Sequence, residues 1–185
     1  MKKVGMILGV LVVISLIVVG CSLNDMSNTP TKRTEIFFNK YQMLDSSVLN
    51  DLNRVAALDT QFNTSQREVY KELMKNHYQN LIYKIKDEQI DGDNAVVTVE
   101  IEVTDYSSVI RNASMYLEEH PEEFQNDQGE YDVSKYSDYR LEQLKNVDEK
   151  VKYTLELNLT KVDKQWRVDQ ISTVDEEKIH GIYVY

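Results

Sequence analysis

Apolar and polar residues alternate over a long stretch near the C-terminal end of the chain. The apolar positions of its first half are Val151, Tyr153, Leu155, Leu157 and Leu159. A period of two residues is typical of a strand that buries one face and exposes the other. The pattern therefore predicts a strand whose apolar face must be covered by other parts of the chain.

A tight turn after this strand would fix the register of a hairpin. Asp163 and Lys164 can form a two-residue turn, which would pair Val168 with Leu159. Trp166 has the same parity as Val168, so the turn predicts that its ring is buried on the apolar face.

A second alternating stretch lies earlier in the chain and also has a turn signal. Residues 83–90 are a strand candidate, and Asp91-Gly92 is a typical two-residue hairpin turn. The apolar positions after the turn are Ala95, Val97, Val99, Ile101 and Val103. We expect two antiparallel strand pairs that form one bent sheet.

Helical spacing dominates the part of the chain before the first strand. Pro30 suits the first position of a helix, Asp45 can cap a second, and residues 65–68 (Ser-Gln-Arg-Glu) have the pattern of a capping box for a third. The stripe that we expect to be buried in the first helix is Phe37, Tyr41 and Leu44. These helices would cover the sheet, which makes the fold class α+β.

A helical crossover over residues 106–147 separates the two strand pairs. Its first helix should end before Pro121, and Asp132 can cap its second helix. Tyr136 and Tyr139 lie in that second helix and allow two interpretations. Their rings suit a contact surface, or they cover the open end of the sheet.

The last residues should be held in place by packing or by strand pairing. Residues 175–177 (Asp-Glu-Glu) suit a turn or a short helix, and residues 179–185 alternate and end on Ile-Tyr-Val-Tyr. A free apolar end would be a liability for a soluble domain.

The N-terminal residues have the layout of a secretory signal. Lys2 and Lys3 precede an apolar run over residues 4–19, which is shorter than the roughly 20 residues that comfortably span a bilayer. The run ends at Gly20 and Cys21, and this order resembles a bacterial lipoprotein signal in which Cys21 becomes the acylated first residue. The alternative is an uncleaved anchor helix with an incidental cysteine.

This interpretation divides the chain into three parts: a signal peptide over residues 1–20, a tether over 21–30 and one domain over 31–185. Cys21 is the only cysteine, so the domain has no internal disulfide. Two or three acyl chains on one cysteine hold a protein stably, which predicts attachment to the extracytoplasmic face of the cell membrane.

The net negative charge of the chain argues against partners that are strongly anionic. Residues 1–20 contain two Lys and no acid, so the remaining 19 basic and 31 acidic side chains give a formal charge of −12. Nucleic acid and anionic headgroups should both repel the free domain.

No catalytic or metal-binding pattern stands out in the sequence. The chain has three His, which are scattered, and the single cysteine is assigned to lipid. Neither a Ser-His-Asp grouping nor a metal-ligand spacing can be built from these residues. We therefore expect no metal, no cofactor and no catalytic residue.

Two segments carry a resemblance to a known fold family. YKIKDEQIDGDNAVVTVEIEV and VKYTLELNLTKVDKQWRVDQI resemble the strand pairs of the nuclear transport factor 2-like, or cystatin-like, cone fold. Residues 31–185 as a whole are similar to uncharacterised small lipoproteins of Gram-positive bacteria with such a domain. The crossover over 106–147 is longer than the usual connection in that fold.

The resemblance implies a pocket or contact surface lined by aromatic residues. The candidates are Phe37, Tyr41, Tyr136, Tyr139, Tyr153 and Trp166. Enzymes of this fold place an acid, a Tyr or a His deep in the cone, whereas the inward strand faces here offer only Tyr153 as a polar group. We therefore expect a non-enzymatic module that binds a small apolar ligand or an envelope protein. The alternatives are an isomerase or hydrolase that uses the cone pocket, and a structural partner of an envelope complex.

Overall fold

The computed structural model describes residues 28–184. The predicted signal peptide, Cys21 and most of the predicted tether lie outside the described residues. The elements are α1 (Pro30–Gln42), α2 (Ser46–Leu58), α3 (Thr64–Gln79), β1 (Ile82–Asp91), β2 (Asn94–Thr104), α4 (Ser107–Glu119), a short 3-10 helix (Pro121–Phe124), α5 (Val133–Lys145), β3 (Lys150–Val162), β4 (Gln165–Val168) and α6 (Thr173–His180).

The strands form one antiparallel sheet in the order β1-β2-β3-β4, which is open rather than closed. The predicted α+β class is therefore confirmed. The apolar positions of β2 lie opposite those of β3, for example Val99 opposite Leu155 and Val97 opposite Leu157. These side chains are almost completely buried, so the alternation read from the sequence identified the covered face.

The β3–β4 hairpin has the predicted register. Asp163 and Lys164 have positive φ angles of 52° and 62°, as a type I′ turn requires at both central residues. Trp166 lies opposite Lys161 and is only 5% exposed. The predicted burial of the indole is therefore confirmed.

Helix α1 covers the sheet, but with a different stripe from the predicted one. The stripe Phe37, Tyr41 and Leu44 is only half-buried, whereas Phe38 is completely buried. Adjacent helix positions differ by about 100° around the axis, so only one of the two phenylalanines can point straight at the sheet. Phe38 takes that position and stacks on Tyr83 of β1, with ring centroids 5.1 Å apart. The predicted stripe was therefore displaced by one residue.

The caps of the first three helices come from polar side chains. The Asp45 side chain accepts a hydrogen bond from the Ser47 amide at the start of α2, as predicted. The predicted capping box over residues 65–68 was wrong, because Asn63 and Gln66 form the box. The Gln66 side-chain amide also donates to Asp138 of α5 at 2.8 Å. This contact favours the start of α3 at Thr64 rather than after Ser65.

The crossover helices pack on other helices. α5 contacts α3 and α4, and Tyr136 is buried with Ala113 and Phe124 in a small cluster of its own. Tyr139 is half-buried and stacks on Tyr116, with ring centroids 5.0 Å apart. These tyrosines therefore lie in a helical subcore and do not cover the open end of the sheet, which was one of the two interpretations of the sequence.

The C-terminal residues are held by packing rather than by strand pairing. α6 begins at a Ser172 cap and ends at Gly181 with φ 69°, and its Ile179 is completely buried. The Gly181 carbonyl accepts a hydrogen bond from the Tyr106 amide at 2.8 Å. A Cβ on Gly181 would lie 2.0 Å from the Thr104 carbonyl oxygen, so this close approach requires glycine.

Candidate functional site: an aromatic cleft between helices

An open cleft of about 290 Å³ lies between helices α1, α2, α3 and the C-terminal segment. We call it the aromatic cleft. Its wall consists of Tyr41, Val48, Leu52, Val55, Tyr70, Tyr78, His180 and Ile182, and its rim consists of Asp51, Arg54, Thr173, Glu176 and Glu177. The wall is thus largely apolar and aromatic, whereas the rim is charged.

Helical spacing aligns these side chains. Val48 and Leu52 are four residues apart on α2, and Tyr70 and Tyr78 are eight apart on α3, so each pair projects from one side of its helix. Tyr41 from the last turn of α1 completes the wall by packing against Tyr78, with ring centroids 5.2 Å apart.

One hydrogen bond joins two polar groups inside the cleft wall. The Tyr78 hydroxyl lies 3.0 Å from His180 Nδ1. Burial raises the pKa of Tyr78 far above its ordinary value, and burial lowers the pKa of His180 to about 4. At neutral pH the phenol and the imidazole are therefore both uncharged and share one hydrogen bond, whose donor is set by the His180 tautomer.

A second histidine lies behind the cleft wall and has a structural role. His77 is 3% exposed, and its Nε2–H donates to the Ile179 carbonyl at 2.8 Å. Burial lowers the pKa of His77 to about 4. The ring also packs on Tyr106, with centroids 5.1 Å apart. His77 thus fixes α6 to α3 and keeps His180 at the cleft.

The rim of the cleft is net negative. Arg54 lies 3.1 Å from Asp51, whereas Glu176 and Glu177 have no ion-pair partner within residues 28–184. Burial raises the pKa of Tyr41 to about 12, and the nearby carboxylates of Glu176 and Asp51 contribute to this shift. The field at the mouth therefore disfavours an anionic ligand.

A smaller cavity of about 160 Å³ lies next to the aromatic cleft. Tyr70 and Ile182 line both spaces, so these two side chains separate them. Arg140 lines the smaller cavity and lies over the Phe62 ring, 4.8 Å from its centroid.

Comparison with known proteins gives one match. No family model matches the chain, and no curated protein matches its sequence. A solved structure described as a "putative lipoprotein (ycdA)" from Bacillus subtilis subsp. subtilis str. 168 aligns with 89% of this chain, at 16% identity and a TM-score of 0.43. This chain covers 51%, about half, of that protein. A similarity at this level does not show a shared fold.

The predicted lining residues lie in four separate places. Only Tyr41 reaches the aromatic cleft. Phe37 and Trp166 line a groove between α1 and β4, Tyr153 lies in the sheet core, and Tyr136 and Tyr139 lie in the helical subcore. The predicted set is therefore not one pocket, and Cys21, the predicted lipidation residue, lies outside the described residues.

Sequence reasoning missed two central groups of the cleft, Tyr78 and His180. Tyr78 directly follows His77 on α3, and no sequence pattern distinguishes it from the other aromatic residues of the helices. His180 directly precedes Gly181, whose left-handed conformation ends α6. That helix-ending glycine was the available signal, because it turns the chain immediately after His180.

The described part of the chain contains no group of three or more His, Cys, Asp or Glu that could hold a metal ion. Over the same residues, none of the helices is both long enough and apolar enough to cross a bilayer.

Proposed function

We propose that this protein is a lipoprotein, anchored through Cys21 to the extracytoplasmic face of the cell membrane, whose domain binds a small apolar molecule. The observation that carries the binding role is the aromatic cleft, an open space with three tyrosine rings and aliphatic side chains in its wall. Small-molecule sites are typically concave and mostly apolar, with few polar groups.

The proposed anchor rests on the N-terminal sequence. Two lysines, a short apolar run and the Gly20-Cys21 order are what a lipoprotein signal requires. The proposal includes a signal peptide over residues 1–20, a tether over 21–30 and a domain over 31–185. Its relation to the nuclear transport factor 2-like cone is part of the same proposal.

The charge of the cleft defines the ligand further. A ligand that buried about 200 Å² of apolar surface would gain roughly 5 kcal/mol from leaving water, so the expected affinity is modest. The unpaired carboxylates of Glu176 and Glu177 disfavour a carboxylate on the ligand. We therefore propose a neutral or cationic apolar molecule.

The polar groups in the wall support binding rather than catalysis. A general acid or base works best when its pKa lies near the operating pH. The pKa of His180 is lowered to about 4, and that of its partner Tyr78 is raised far above neutral. An isomerase or hydrolase would need an acid or base whose pKa lies between these two extremes. We therefore keep an enzyme as the alternative and place binding first.

The partner role in an envelope complex has less support. That role would call for an exposed aromatic surface. In the crossover Tyr136 is buried, and Tyr131 is the tyrosine with more than half of its surface exposed, at 53%. The rings mainly stabilise the crossover itself.

Ligand titration tests the binding role. Decanol, decylamine and decanoate share one alkyl length and differ in charge. Binding measured by calorimetry should be detectable for decanol and decylamine and weakest for decanoate. Tyr41→Ala, in the cleft wall, should weaken binding, whereas Tyr139→Ala, in the helical subcore, should not. Equal binding of all three compounds, unaffected by Tyr41→Ala, would contradict the proposal.

A further inference from the structure

A groove of about 260 Å³ runs between α1 and β4, on a part of the surface that the aromatic cleft does not use. Phe37, Trp166 and Val168 form its apolar floor, and Arg33, Lys40 and Arg167 contribute cations. No Asp or Glu of the described chain lines it. We call it the α1–β4 groove. It is a cationic site on a protein with a net charge of −10.

The tether joins the domain at this groove. Asn28 is the first described residue, and its side-chain amide donates to the Lys164 carbonyl at 2.7 Å. Its side-chain oxygen accepts from the Trp166 amide at 3.0 Å and from Arg33 at 3.4 Å. Asn28 thus occupies hydrogen-bonding positions on the free edge of β4 and fixes the start of the domain beside the groove.

The chain between Cys21 and Asn28 is short. Only residues 22–27 lie between them, so full extension spans at most about 25 Å, and a flexible chain averages roughly 15 Å. A lipid on Cys21 would therefore keep the α1–β4 groove at a high effective concentration near the membrane surface.

We infer that the α1–β4 groove docks on the anionic phospholipid headgroups of the membrane that holds Cys21. This inference rests on the proposed lipid anchor. Cations near an anionic membrane surface are attracted to it, and Lys40 and Arg167 are exposed side chains of this groove. Among the acidic residues near the groove, Glu35 is paired with Lys32 at 2.8 Å and Asp163 adjoins Lys164 in the turn. Asp169 follows Val168 and accepts a hydrogen bond from Thr160, so the three groove cations outnumber this one unpaired carboxylate of the described chain.

The net negative charge should affect the free protein and the anchored protein differently. The net negative charge repels the free domain from an anionic surface. Once the domain is tethered, its orientation decides which charges approach the membrane, and the groove presents cations. The interaction should therefore be measurable only in the tethered state.

A tethered-vesicle experiment tests the inference independently of natural lipidation. The mature chain, beginning at Cys21, is coupled through this sole cysteine to a maleimide lipid. Vesicles contain either phosphatidylcholine alone or equal parts of phosphatidylcholine and phosphatidylglycerol, with bromine on the lipid chains near the headgroups. Trp166 is the only tryptophan, so its quenching by bromine reports how closely the groove approaches the membrane.

We expect much stronger quenching on the phosphatidylglycerol vesicles, and salt should reduce it. Lys40→Gln with Arg167→Gln should weaken docking roughly 25-fold, at about fivefold for each cation removed. The control is Lys71→Gln with Lys75→Gln on α3, which changes the net charge equally and should leave quenching unchanged.

Equal quenching on both vesicles, or equal losses in both double variants, would overturn docking and leave the anchor proposal standing. The anchor has its own test, the membrane attachment of the natural protein with and without Cys21→Ala. Unchanged processing and attachment in that variant would reject lipidation at Cys21, whereas the coupled protein would still report on the groove.

Discussion

The sheet core and the aromatic cleft are both lined by large apolar side chains, yet one is filled and the other is open. Between β2 and β3 the facing residues are aliphatic and almost completely buried. Between α2, α3 and α6 the wall is aromatic and leaves about 290 Å³ open. The difference indicates that the sheet is the closely packed part of the domain, whereas the helices leave the space that we propose as a binding site.

Truncation of one leucine on each side should show this difference most strongly. Leu155 is completely buried in the sheet core, and Leu52, 4% exposed, lines the cleft. Leu155→Ala should lower the free energy of unfolding by about 4 kcal/mol, because it leaves a cavity in a filled core. Leu52→Ala should cost about 2 kcal/mol, since part of its surface already borders open space. Denaturant unfolding measures both values, and equal losses would contradict the comparison.

Gly181 lies between the sheet and the aromatic cleft, and we expect that it does not tolerate a side chain. Gly181→Ala adds a Cβ 2.0 Å from the Thr104 carbonyl oxygen, at a φ of +69°. The backbone conformation and the overpacking together should cost roughly 3 to 4 kcal/mol. Thermal unfolding measures the loss. Gly92→Ala is the matched control, because its Cβ at a similar φ of +61° would meet nothing within 4 Å. It should therefore cost about 1 to 2 kcal/mol.

Acid should destabilise the domain through two histidines of its helical side whose pKa values are lowered by burial. The pKa of His77 is about 4 in the folded protein and 6.5 when unperturbed, so the unfolded chain binds more protons between these values. The contribution of the uncharged His77 to the free energy of unfolding is therefore fully present above pH 6.5, and about 3 kcal/mol of it is lost as the pH drops to about 4. The lowered pKa of His180 acts in the same direction.

Unfolding free energies across this pH range, together with a histidine variant, test the assignment. His77→Gln should reduce the pH dependence of the unfolding free energy, because it removes the buried imidazole. An unchanged pH dependence in His77→Gln would show that the buried imidazole is not the titrating group.

The smallest expected effect concerns the hydrogen bond inside the cleft. Tyr78→Phe removes the hydroxyl that is hydrogen-bonded to His180 and keeps the packed ring. The expected loss of stability is about 1 kcal/mol, measured by denaturant unfolding. A loss above about 3 kcal/mol would mean that this bond, rather than ring packing, holds the cleft wall together.

The sheet could be predicted from the sequence because its determinants are local. Alternation identifies the buried face, and the Asp163-Lys164 turn sets the register that buries Trp166. The choice between Phe37 and Phe38 was not predictable in this way, because both residues are aromatic and adjacent. Their roles depend on how α1 crosses the sheet.

The cleft could not be assembled from the sequence for a related reason. Tyr78 and His180 are 102 residues apart, and no periodicity links α3 to α6. Tyr41 was predicted as a lining residue, but the other five candidates belong to different surfaces or cores. Aromatic residues suit pockets and cores equally well, and only the packing of the helices separates these two uses.

Native mass spectrometry of the protein extracted from its host membrane tests the central claim most directly. We expect a mass increase on the N-terminal Cys21 from acyl chains, together with a small noncovalent ligand. Tyr41→Ala should reduce occupancy by this ligand, and Tyr139→Ala should retain it. A chain with its signal residues uncleaved, or an acylated protein that never carries a ligand in either form, would contradict the account of an anchored binding module.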